Sequence, residues 1–173
     1  MKRVSQLTAL ALLMGLAAAA TSAADAMPTL TLSTLQQHNG VAIDTRLSAF
    51  YNGWPQGANG PQGHEPQALN LAAGWLGAMT DEQLGAWAKL HNLQASTPIA
   101  LYGDADDNAK VAARLKAAGF THLSSLGDAL SQAERLQKLP HFEQLVYPQW
   151  LHDLQQGKAV AADHAGKWKV FEA

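Results

Sequence analysis

Residues 98–126 read PIALYGDADDNAKVAARLKAAGFTHLSSL, and the fold turns on this stretch. The apolar run Ile99-Ala100-Leu101-Tyr102 has the length of a buried strand. It stops at Gly103 and enters turn chemistry, Gly103-Asp104-Ala105-Asp106-Asp107-Asn108, in which Asp107 and Asn108 are suitable helix N-caps. Val111, Ala112, Leu115 and Ala118 then recur with a helical period, while Lys110, Arg114 and Lys116 take the other face. Gly119 marks the helix end, and residues 120–123 open a second short strand. Strand, loop, helix and strand make a βαβ unit, which predicts a parallel sheet. In such a unit the loop after the first strand faces the ligand crevice, and the N–H groups of the helix start favour anions. A nucleophile would stand at the first loop position. Here that position is glycine.

Upstream, residues 30–40 read as a short strand and a helix, with Ser33 or Thr34 as cap, Leu35 inward and Asn39-Gly40 closing the turn. Val41-Ala42-Ile43-Asp44 is a second strand, followed by about a turn of helix over residues 47–51. Gly53, Pro55, Gly57, Gly60, Pro61, Gly63 and Pro66 punctuate a long loop, after which residues 68–71 return to the sheet. Thr80 and Gln83 form a capping box at the head of a helix whose expected buried stripe is Leu84, Trp87, Ala88 and Leu90, with Trp87 read as core. Residues 126–139 read as an amphipathic helix ending at Pro140. A further helix over residues 146–156 opens at Pro148, and Trp168-Lys169-Val170-Phe171-Glu172 alternates like a strand. Helix, loop and strand at the tail repeat the order of residues 32–44. Residues 145–173 are therefore expected to begin a second copy of the same unit, the other reading being a strand that completes the first sheet.

The chain has 173 residues, 47% of them hydrophobic and 15% charged, enough for one domain with a real core. A net charge of −2 without a basic patch argues against nucleic acid as a partner. Zero cysteines exclude disulfides, thiolate metal sites and cysteine nucleophiles within the chain. Met1-Lys2-Arg3, the Leu/Ala-rich stretch to Ala20 and the small residues up to Ala26 have the layout of a signal peptide, residues 1–24. The expectation is an exported chain, periplasmic in a two-membrane bacterium, with no membrane attachment after cleavage. Cleavage after Ala24 leaves 10 basic and 14 acidic side chains.

With these elements placed, the sequence resembles the rhodanese family. Ile43-Asp44-Thr45-Arg46 is similar to the family's strand-ending D-x-R. Gly63-His64-Glu65-Pro66-Gln67-Ala68-Leu69-Asn70 resembles its GHIPGAxN signature. Leu101-Tyr102-Gly103 lies where the family's strand runs into its catalytic cysteine, and Ala117-Ala118-Gly119-Phe120 matches the step that follows. The matches fall in order over residues 30–130 and resemble an N-terminal, cysteine-less repeat of the exported multi-domain members. The resemblance implies an α/β fold, a parallel sheet flanked by helices on both faces, over residues 28–140. The family activity it implies is sulfur transfer from thiosulfate through a cysteine persulfide, with no cofactor. That chemistry needs a thiolate stabilised by loop N–H groups and positive charge. By the resemblance, Gly103 takes the cysteine position and Asn108 replaces an arginine that often closes the loop. Asp104, Asp106 and Asp107 add negative charge, each like pair costing roughly 1–4 kcal/mol at about 4 Å. The expectation is a vestigial active-site loop at Gly103, Asp104, Ala105, Asp106, Asp107 and Asn108. Asp44, Arg46, Gly63, His64 and Asn70 are the family-motif positions.

Competing chemistry is weaker. Asp104, Asp106 and Asn108 open like a calcium loop, but Ala109 and Leu115 stand where glycine and the bidentate glutamate belong. The histidines (His38, His64, His91, His122, His141, His152, His164) have no zinc spacing, and His64 is expected to make a structural hydrogen bond. Ser124 and Ser125 lack a nucleophile elbow. No metal is expected. The reading is a non-catalytic domain with a structural, docking or regulatory role. Its expected partners are other rhodanese-like repeats or a sulfur-acceptor protein. The alternatives are sulfurtransferase activity carried by cysteine-containing repeats outside this chain, and a small-anion binding module.

Overall fold

The computed structural model describes residues 27–146 and 148–158. The expected signal peptide and the expected strand over residues 168–172 lie outside them. Strands β1 (Thr29–Leu30), β2 (Val41–Asp44), β3 (Leu69–Asn70), β4 (Ile99–Tyr102) and β5 (Leu123–Leu126) form one sheet in the order β1-β5-β4-β2-β3, all pairs parallel. Helices are α1 (Leu32–Gln37), α2 (Ser48–Asn52), α3 (Asp81–Leu90), α4 (Ala105–Ala117) and α5 (Pro148–Gln155). The fold is the predicted α/β type.

β4 is central, so both its faces are covered and all four of its residues are buried, which explains an apolar run without alternation. Ile43 pairs with Leu101 across β2 and β4, and both face a core shared with Leu84 and Ala88 of α3 and Val111 and Leu115 of α4. Ala42, Ala100 and Tyr102 point the other way, against Leu32 and Leu35 of α1. Helices therefore cover both faces. Parallel pairing brings the carboxyl ends of β2, β3 and β4 to one edge, where β2 leads into Thr45 and Arg46 and β4 into Gly103.

Local chemistry moved several boundaries. α4 starts at Ala105 with Asp104 as N-cap, so Asp107 and Asn108 lie in its first turn rather than capping it. The Asn108 side chain is already bonded to the Thr45 hydroxyl. α1 is capped by Thr31, whose hydroxyl accepts the Thr34 N–H, not by Ser33 or Thr34. The capping box of Thr80 and Gln83 forms as predicted. In α3, Leu84 and Ala88 are buried one turn apart, Trp87 is half-buried, and Leu90 is 76% exposed because six residues past Leu84 lies off the inward stripe. After Gly119, Phe120 turns into the core, and β5 begins only where Leu123 comes into register with Ile99.

The largest departure is residues 126–139, which form no amphipathic helix. Leu130 takes a left-handed conformation with its N–H captured by Glu65, a single 3₁₀ turn covers Ala133–Arg135, and Gln137 pairs with His64. Long-range hydrogen bonds override the helical period. α5 opens at Pro148 as expected.

Truncating Leu115, wholly buried between α4 and the sheet, to alanine should cost about 2–5 kcal/mol in urea unfolding. Leu90→Ala should stay within about 0.5 kcal/mol of the parent.

Candidate functional site

The carboxyl end of β2 carries a buried ion pair. Asp44 Oδ1 accepts from the Arg46 backbone N–H at 3.0 Å and from Nε at 3.0 Å, and Oδ2 accepts from Nη2 at 2.6 Å. The side chains are 0% and 2% exposed, so each neutralises a charge that water cannot reach. Arg46 Nη2 also donates to the Gly63 carbonyl at 2.7 Å, and its guanidinium carbon lies 5.9 Å from the centre of the Tyr102 ring. Asn70 donates to the carbonyls of Asp44 and Arg46 and bonds the Ser48 hydroxyl. All the motif positions thus meet at one edge of the sheet, and all of them hold backbone.

The loop of Gly63, His64 and Glu65 is built the same way. Gly63 has φ of +97°, and an added Cβ would overlap the Gln137 carbonyl oxygen. His64 Nδ1 lies 2.7 Å from the Tyr51 carbonyl, which can only accept, so Nδ1 carries the proton. The ring stacks on Tyr51 at 3.8 Å, and the His64 backbone exchanges two hydrogen bonds with Gln137. The hydrogen bond expected of His64 is present, to the Tyr51 carbonyl.

The sequence motifs assign no role to Glu65, Tyr102 or Arg135, yet all three are engaged at this edge. Glu65 is fully buried, accepting from Leu130 N–H at 2.6 Å and from Arg135 Nε and Nη2 at 2.8 and 3.0 Å. The hydrogen bond to Glu65 raises the Arg135 pKa. The signal available in the sequence is that Glu65 is the single acidic residue between Asp44 and Asp81. Its partner, 70 residues along the chain, was not legible. The Glu65 N–H donates to the Tyr102 hydroxyl at 3.1 Å. Burial, and then the Asp44 charge, push the Tyr102 hydroxyl well above the ordinary tyrosine range, and Tyr51 moves the same way for the same reasons.

Gly103 follows β4 directly, with φ of +137°. Beyond it Asp104 and Asp106 are exposed, and Asp107 is paired with Lys110 at 3.0 Å. Arg114, farther along α4, is bonded to Asp81 and to the Met79 carbonyl. The expected vestigial loop therefore presents carboxylates to solvent, the opposite of what a persulfide or a thiosulfate dianion requires. A cleft of about 510 Å³ lies between Asn59–Gln62 and the segment holding Leu130 and Lys138. Another, of about 420 Å³, lies between α3 and α4. Neither is lined by residues 103–108. Among the described residues no cluster of His, Asp and Glu could hold a metal ion, and no helix is long and apolar enough to cross a membrane.

Asp44→Asn leaves the Arg46 charge buried without its partner and should cost about 3–5 kcal/mol in chemical denaturation. Tyr102 sets an alkaline limit. Its folded pKa lies above the unfolded value of about 10, so it contributes stability that is present below pH 10 and lost as pH rises past it. Tyr102→Phe should lower stability at neutral pH by about 1–3 kcal/mol, by orphaning the Glu65 N–H, and should flatten the fall in Tm above pH 10.

No family model matches the chain. Over all 173 residues it is 65% identical to thiosulfate sulfurtransferase YnjE of Escherichia coli (strain K12), and it spans 40% of that protein's length. The crystal structure of YnjE superposes with a TM-score of 0.71, covering 86% of this chain and 36% of that one, again at 65% identity. A structure of EanB in complex with hercynine shares the fold at a TM-score of 0.63 and 24% identity, over 79% of this chain and 33% of that one. The order of the parallel sheet, the strand-end motifs and an identity sustained across the whole chain place this protein among the rhodanese-like domains, as a relative of YnjE.

Proposed function

We propose that this chain is a non-catalytic rhodanese-like domain of an exported thiosulfate sulfurtransferase, acting as a structural and docking element. One observation carries the reading. The residue directly after β4, at the head of the loop where a sulfur-transferring nucleophile would stand, is Gly103, in a chain with no cysteine at all. The surroundings support it. The loop exposes Asp104 and Asp106, and the side chains of Asp44, Arg46, His64 and Asn70 are all engaged in holding backbone. A partner fitting this role is another rhodanese-like repeat or a sulfur-acceptor protein. Export rests on the composition of residues 1–24 and implies a periplasmic setting in a two-membrane bacterium.

A second reading is favoured by the 40% span of YnjE. In it, sulfur transfer from thiosulfate to a thiophilic acceptor is performed by cysteine-containing repeats of a longer polypeptide, and this domain supports them. The third possibility, a free-standing anion-binding module, is disfavoured by the carboxylates at the loop.

Purified chain should form no thiocyanate from thiosulfate and cyanide above the protein-free blank. Turnover would overturn the non-catalytic reading. Millimolar thiosulfate or sulfate should leave Tm unchanged at constant ionic strength, whereas a rise that saturates with either anion would establish the binding module instead.

A further inference from the structure

We propose that Thr45 fills the place a side chain at position 103 would occupy, so that the end of β2 closes the loop and turns it into a structural joint. The inference deepens the non-catalytic reading of this site and rests on it. Thr45 is 1% exposed. Its hydroxyl lies 3.0 Å from the Tyr102 carbonyl and 2.8 Å from Asn108 Oδ1, and its single proton serves these two acceptors. The backbone is pinned as well, since the Thr45 N–H donates to the Tyr102 carbonyl and the Thr45 carbonyl accepts the Ala73 N–H, both at 2.9 Å. The side chain cannot rotate without giving up both contacts at once.

A Cβ built on Gly103 would overlap Thr45 Oγ1, and the next nearest atom is Arg46 Cγ at 3.2 Å. Arg46 is itself held by Asp44 and the Gly63 carbonyl, so neither neighbour is free to give way. The φ of +137° adds a separate conformational penalty for any residue with a Cβ. Space and backbone thus both restrict position 103 to glycine, and the space is restricted by Thr45. It follows that restoring a cysteine at 103 requires making room at 45. The hydroxyl also ties β2, β4 and the first turn of α4 together, which a vacant loop would not do.

A double-mutant cycle read by Tm tests this. Gly103→Ala is measured in the parent, in Thr45→Ala and in Thr45→Val. In the parent it lowers Tm through both overlap and φ. In Thr45→Ala the overlap is gone, and the further drop caused by Gly103→Ala should be clearly smaller. Valine puts a methyl where the hydroxyl was, so in Thr45→Val the full drop should return. Equal drops in the alanine and valine backgrounds overturn the proposal and leave only the backbone penalty. If Gly103→Ala folds in no background, Thr45→Ala alone carries the test. Its amides at residues 103–108 should exchange with solvent about tenfold faster than in the parent, the worth of one lost hydrogen bond, and unchanged exchange overturns the proposal. Thiocyanate formation by the unaltered chain would sink the non-catalytic reading without altering the cycle, so the two failures are distinguishable.

Discussion

A carboxylate and a guanidinium removed from water together must satisfy each other, and the geometry that allows it leaves little freedom around them. Asp44 and Arg46 are two residues apart at the end of β2, close enough for one carboxylate to take the backbone N–H, Nε and Nη2 of the same arginine. Because both are buried, neither can swing out to reach a ligand without stranding the other. Arg46 Nη2 also donates to the Gly63 carbonyl, which brings in the returning loop with His64 and Glu65, while the buried Nη1 has no hydrogen-bond partner. Glu65 in turn fastens the segment after β5 through Leu130 and Arg135. One ion pair thus begins a chain of contacts that crosses the carboxyl edge of the sheet and ends at residues far away in sequence.

That arrangement makes functional sense of the loop after β4. A sulfur-transfer site needs a side chain that attacks, N–H groups that receive an anion and some positive charge beside them. Here the charged groups of the edge are consumed in neutralising one another, the first loop residue has no side chain, and the exposed residues that follow are acidic. The domain keeps the frame on which such a site is built and puts its polar residues to work as fasteners. The supporting role proposed for this domain rests on that economy.

Residues 98–126 carried most of the fold in plain view, since a fully apolar four-residue run before a glycine and a helical period has few other solutions. β2 was equally plain, and so was the α3 capping box, because its donors and acceptors lie within one turn. What was hidden depended on distant partners. α4 begins at Ala105, earlier than its caps suggest, with Asn108 in its first turn bonded to Thr45 just past β2, and residues 126–139 give up their helical pattern because Glu65 and His64 capture Leu130 and Gln137. The motif residues were located from sequence as a group. Their occupation, above all the ties made by Thr45 and Glu65, is three-dimensional information.

Native-state amide exchange at Thr45, Arg46 and Asn108, with and without thiosulfate, tests most directly whether this edge is a joint or a site. Their N–H groups donate to the Tyr102 carbonyl, Asp44 Oδ1 and the Asp104 carbonyl respectively. A joint predicts exchange close to the rate of global unfolding at all three, unchanged by thiosulfate. Rapid local exchange that thiosulfate slows would mean that the loop opens and binds, and would contradict the account.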